Sequence, residues 1–143
     1  YSAIFYLLIP CIMLRLLWRS IKAPEYRRRW LERFAFYGKN YPQDLIWFHA
    51  VSVGEAEALF PLVRQLHQQF PQQTLLVTTT TPTGSARVSA VLGNTVEHVY
   101  LPYDVPIVVG RFMRCFKPKL AVIMETEIWP NLFFCCGENN ITL

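Results

Sequence analysis

Residues 3–14, AIFYLLIPCIML, are apolar without a break, and past Arg15 the segment LLW adds one more apolar turn before Arg19. A bilayer crossing needs about 20 apolar residues at about 1.5 Å of rise each, so the run is short for a full span. No small-residue cleavage site follows it, and its cations stand on the carboxyl side, where a signal peptide does not carry them but a cytoplasmic flank does. Residues 1–21 therefore read as an apolar membrane-anchor segment, the alternative being a buried core helix with a solvated basic tail. Over residues 23–37 a new period begins, with Trp30, Phe34 and Tyr37 at i, i+4 and i+7 and arginines between them. This predicts a helix that is aromatic on one face and basic on the others, suited to a membrane surface, within a segment bounded at residues 22–40.

From residue 41 the pattern turns to short apolar runs rich in β-branched residues. LIWFHAV (45–51), TLLVTTT (74–80), residues 96–101 and residues 120–124 read as strands. Between them, residues 55–70, 87–92 and 105–115 read as helices, the first closed by Pro71. Strands alternating with helices predict βαβ units and a parallel sheet, an α/β domain over residues 41–143. The chain opens on Tyr1 inside an apolar run and closes on Ile141, Thr142 and Leu143, where a further strand could begin, and it reads as a piece of a longer protein.

Composition narrows the function classes. An apolar content of 52% over 143 residues supports one folded core. The net charge of +4 is uneven, because Arg15, Arg19, Lys22, Arg27, Arg28, Arg29 and Arg33 crowd the front of the chain. These cations sit beside the apolar segment and accompany no recognised nucleic-acid motif, which argues for membrane lipids as a partner and against nucleic acid. Cys11, Cys115, Cys135 and Cys136 form no CxxC pair, and His49, His67 and His98 share no ligand spacing. Neither a metal site, a cofactor nor a disulfide framework is expected, and a reducing compartment fits.

In an open parallel sheet, ligands bind beyond the carboxyl ends of the strands, so the informative segments are SVGE, TTTPTGS, LPYDVP and METEIWPN. Ser52 and Glu55 have the spacing of a capping box. Gly54, a poor helix former in a first turn, fits a place where something approaches the backbone closely. Thr83, Gly84 and Ser85 follow Pro82 at a helix start whose N–H groups suit an anion, although a plain turn has the same composition and no P-loop pattern is present. Asp104 reads as a cap for the next helix or a partner for a sugar hydroxyl. Glu125 and Glu127 follow a strand directly and are closed off by Trp129, Pro130 and Asn131, as in a polar site or a tight solvated loop.

The blocks KAPEYRRRWLERFAFY (22–37), HAVSVGE (49–55), TTTTPTGSARV (78–88), HVYLPYD (98–104) and METEIWPN (124–131), in that order, resemble the 3-deoxy-D-manno-octulosonic acid (Kdo) transferases of lipopolysaccharide biosynthesis. The resemblance implies the N-terminal, acceptor-binding Rossmann-like half of a GT-B glycosyltransferase, with the donor CMP-Kdo held by a C-terminal domain outside this sequence and a lipid A precursor as acceptor. It implies Glu55 as the general base of an inverting transfer, and Ser52, Gly54, Thr83, Gly84, Ser85, Glu125 and Glu127 along the cleft. Arg28 and Arg29 are implied to meet acceptor phosphates, at the cytoplasmic face of the inner membrane. The residues 1–143 alone are expected to be inactive. Two rival readings are another GT-B-like enzyme with a different acceptor and a non-catalytic membrane-binding module, in which Glu55 only caps a helix.

Overall fold

The computed structural model describes residues 2–22, 25, 29–124 and 127–143, the side chains of residues 2–6, 19, 20 and 22 excepted. The apolar start forms helix α1, Ser2–Lys22. Among the described residues no helix is long and apolar enough to cross a membrane. Arg15, Arg19 and Lys22 fall in the second half of α1.

The helix expected over residues 23–37 is corrected from Arg29 onward, while residues 23, 24 and 26–28 lie outside the described residues. Trp30–Phe34 is a 3-10 helix, and it is bounded by two left-handed residues, Arg29 and Ala35, each with φ 57°. Left-handed backbone ends a helix, so Trp30, Phe34 and Tyr37 share no continuous α-helical face.

The rest alternates between strands and helices as the pattern predicts, with α3 starting five residues before the expected 87–92 and α5 added: β1 Ile46–His49, α2 Val53–Gln69, β2 Leu75–Thr79, α3 Pro82–Leu92, β3 Glu97–Tyr100, α4 Pro106–Phe116, β4 Leu120–Ile123 and α5 Pro130–Glu138. The four strands form a parallel sheet in the order β3-β2-β1-β4. Strand side chains alternate between faces, and two cores result. Trp47, Leu76, Val99 and Ala121 pack toward Val109, Phe112 and Phe116 of α4 and Leu132 of α5. Phe48, Leu75 and Val77 pack toward Ala56, Leu59 and Val63 of α2 and Val88 of α3. Beyond α5, Thr142 bridges Leu120 in parallel, with its carbonyl 2.8 Å from the Ala121 N–H, so the chain runs along the outer edge of β4.

This strand order positions the site. From β1 the chain steps to β2 and then β3 on one side, whereas β4 lies on the other. Loops leaving β1 and β4 therefore diverge, and the crevice between them is the topological switch point at which open α/β sheets bind ligands.

Candidate active site at the carboxyl edge of the sheet

The loop after β1 presents Glu55. Ser52 caps α2, its Oγ accepting from the Glu55 N–H at 3.3 Å and donating to Glu55 Oε1 at 2.7 Å. Glu55 Oε1 also accepts from the Ser52 N–H at 3.2 Å, and Oε2 accepts from the Val51 N–H at 2.7 Å. The capping box is thus complete, and one N–H beyond it is engaged. Gly54 lies in this turn with open space before it, since an added Cβ would meet only Ser52 Oγ, at 3.9 Å. No contact among the described residues requires glycine there.

The loop after β2 is tied to the same place, because Thr80 Oγ1 donates to the Val51 carbonyl at 3.2 Å. Thr81 caps α3 by accepting from the Gly84 N–H at 3.1 Å, and Pro82 takes the first helical position. The Ser85 N–H bonds the Thr81 carbonyl and Thr83 Oγ1 donates to Thr81 Oγ1 at 3.3 Å. Most N–H groups expected to hold an anion are therefore used within the turn. Gly84 has a structural reason, because a Cβ would approach Thr81 Oγ1 to 3.0 Å.

Arg29 meets Ser85 here, with Nη1 at 3.3 Å from its Oγ, beside a groove of about 460 Å3 lined also by Thr83 and Tyr100. Arg29 is not a free cation, since Nε and Nη2 donate to the two Glu32 oxygens at 2.7 and 2.8 Å. Its Nη2 also donates to the His98 carbonyl, and Nη1 to His98 Nδ1. An arginine only donates, so His98 Nδ1 accepts and Nε2 donates to Thr79 Oγ1 at 3.0 Å. Burial, and secondly the Arg29 charge, push His98 down to about 3. Arg33, buried, lies over the Tyr100 ring and donates to the Thr80 carbonyl at 2.8 Å.

The loop after β4 contributes Glu127, whose carboxylate accepts from Trp129 Nε1 at 3.0 Å. Arg28 and Glu125 lie outside the described residues. Asp104 caps a helix, but not the next one. Its oxygens accept from the Asn131 N–H at 3.1 Å and the Leu132 N–H at 2.8 Å, at the start of α5, while α4 has Val105 as its N-cap residue and no side-chain cap. Asp104 as a whole is 1% exposed, which assigns it to helix placement.

Structure thus brings Ser52, Gly54 and Glu55 into one turn and Arg29, Thr83 and Ser85 around one groove. Sequence reasoning missed Glu32, Arg33 and His49 as builders of this edge. Their only local signal was that of charges and a lone histidine of ordinary spacing.

Residues 28–143 match the family described as 3-deoxy-D-manno-octulosonic-acid transferase (kdotransferase). A 3-deoxy-D-manno-octulosonic acid transferase of Haemophilus influenzae is 46% identical over 143 residues, covering 99% of this chain and 34% of its own length. A probable mitochondrial 3-deoxy-D-manno-octulosonic acid transferase of Arabidopsis thaliana is 39% identical, covering 96% and 31%. A transferase of the same name from Rickettsia bellii is 35% identical, covering 91% and 31%. The chain spans about a third of the length of the curated relatives it matches. With the parallel sheet, the SVGE turn at its carboxyl edge and these matches together, the chain belongs to the 3-deoxy-D-manno-octulosonic-acid transferase family.

Proposed function

We propose that the chain is the acceptor-binding half of a GT-B glycosyltransferase that moves Kdo from CMP-Kdo to a lipid A precursor with inversion, and that Glu55 is the general base. One observation carries the reading: the Glu55 carboxylate stands in the turn after β1, beside the strand-order switch point. An ionised carboxylate has about four acceptor positions, and three hydrogen-bond donors within the turn reach this one. A position therefore remains for the acceptor hydroxyl, and capping and catalysis are compatible.

In the proposed step the acceptor hydroxyl donates to Glu55, and its oxygen attacks the anomeric carbon of Kdo on the face opposite the CMP. The new C–O bond forms as the bond to the CMP phosphate breaks, CMP leaves with the electron pair, and Glu55 takes the proton. Ser52, Gly54 and the groove at Thr83, Gly84, Ser85 and Arg29 line the acceptor side in this reading, with Glu127 on the loop after β4. General-base assistance is typically worth 10²–10⁴ in rate.

Membrane association is part of this reading. Leu7, Leu14, Trp18 and Ile21 of α1 are exposed apolar side chains, and Arg15, Arg19 and Lys22 share the helix. An apolar and basic helix of this kind suits the surface of an anionic bilayer, which supports the cytoplasmic face of the inner membrane as the working place.

The test is Kdo transfer from CMP-Kdo to a lipid A precursor by the full-length protein, wild type against Glu55→Gln, with both shown to fold. A fall of about a hundredfold or more is expected. Equal activity would reduce Glu55 to a cap, and an inactive wild type would remove the transferase reading.

A further inference from the structure

β1 ends in His49, which is 1% exposed and held from one side. Its Nδ1 lies 3.2 Å from the Thr78 carbonyl oxygen and 2.8 Å from Thr78 Oγ1. A carbonyl only accepts, so Nδ1 carries the proton and Nε2 carries a lone pair. The surrounding bonds agree. Thr78 Oγ1 accepts from Trp47 Nε1 at 2.8 Å as well as from His49, and donates to the Phe48 carbonyl at 3.4 Å, which uses both its lone pairs and its proton.

Thr78 is the register partner of His49 on β2, and β1 has β2 on one side and β4 on the other. The two imidazole nitrogens face away from each other. With Nδ1 turned to Thr78, Nε2 is turned away from that contact, at the end of the strand beside which the strand order reverses. Nε2 is buried and has no hydrogen-bond partner among the described residues. Buried polar atoms without partners are rare, and each calls for a reason. Burial pushes the ring down to about 4 against the smaller opposing effects of the Thr78 hydrogen bond and the Glu55 carboxylate. The lone pair thus stays available at neutral pH, within electrostatic reach of Glu55.

We propose that His49 Nε2 is a ligand-binding atom in the floor of the crevice, accepting a hydrogen bond from a hydroxyl of the saccharide that presents its attacking hydroxyl to Glu55. This rests on the transferase reading above and adds to it a binding residue on the sheet itself, beneath the loops.

Two variants of the full-length enzyme separate the ring nitrogens. His49→Asn keeps an amide near the Nδ1 position and its Thr78 contact, whereas His49→Gln places an amide oxygen near the Nε2 position. The expected result is an acceptor KM raised about five- to tenfold in His49→Asn, the loss of one net hydrogen bond, and held within about twofold in His49→Gln. In wild-type enzyme labelled with 15N-histidine, the Nε2 resonance is expected to shift as lipid A precursor is added. An unchanged KM in His49→Asn, or an Nε2 resonance that stays put at saturating acceptor, overturns the proposal. Wild-type transfer measured alongside keeps the two failures apart: an inactive wild type sinks the transferase reading, while the resonance still decides His49, even if neither variant folds.

Discussion

At the scale of single residues, Gly54 separates a structural from a chemical reason for its presence. Alanine is the better helix former by up to about 1 kcal/mol, and the added Cβ would meet only Ser52 Oγ at 3.9 Å. Gly54→Ala is therefore expected to hold or slightly raise thermal stability while lowering transfer at least tenfold, about 1.4 kcal/mol of barrier. Unchanged activity would mean that nothing approaches the backbone there. Gly84 behaves oppositely, because its Cβ would press on the capping hydroxyl of Thr81 at 3.0 Å, and Gly84→Ala is expected to lower the melting temperature whether or not a substrate binds. The capping box of Ser52 and Glu55 was legible in the sequence because it is local, closed within four residues. The role of His49 was not, because its partner Thr78 lies on another strand.

At the scale of elements, the 3-10 segment Trp30–Phe34 works as a strap over the ends of β2 and β3. Glu32 holds both Arg29 and the Tyr100 N–H, the latter at 3.0 Å, and Arg33 reaches the Thr80 carbonyl. Glu32→Gln leaves the Tyr100 donor with a poorer partner and is expected to cost on the order of 1–2 kcal/mol, read as a lower melting temperature. The partly exposed ion pair itself contributes little of this. His98 makes the strap region pH-sensitive. Its folded value, about 3, lies below the ordinary 6.5, so on acidification the unfolded chain binds the proton first. The stability this confers is complete above about pH 6.5 and is lost as pH falls toward about 3; His49, at about 4, acts with the same sign. Between about pH 7 and 5, where most carboxylates remain ionised, the melting temperature is expected to fall, and His98→Gln to flatten that slope. A rise on acidification would contradict the assignment. None of this was legible at positions 29–33, where arginines and aromatics at helical spacing read as a surface helix; left-handed Arg29 and Ala35 and partners on β3 redirected them.

At the scale of the molecule, the chain offers one side of a cleft in the proposed reading. The donor CMP-Kdo belongs, in the proposed reading, to a domain outside these residues, so residues 1–143 expressed alone are expected to transfer no Kdo; measurable transfer would show that both substrates bind to this part. The exposed apolar residues of α1 predict that the same chain sediments with anionic vesicles and is released as salt rises. Failure to bind such vesicles would remove the membrane surface from the reading.

The sequence by itself determined what depends on near neighbours: the alternation that makes a parallel α/β sheet, the helix starts at Ser52 and Pro82, and the ordered blocks that mark the family. Hydrophobic period, capping and turn chemistry act within a few residues, so they can be read in one dimension. Only the tertiary structure decided the strand order that opens a crevice between β1 and β4, the pairing of Asp104 with a helix start 27 residues away, the strap of Arg29 and Arg33, and the unpartnered nitrogen of His49. Each arises from groups distant in sequence that folding brings together, where burial and hydrogen-bond satisfaction, rather than local propensity, select the partner.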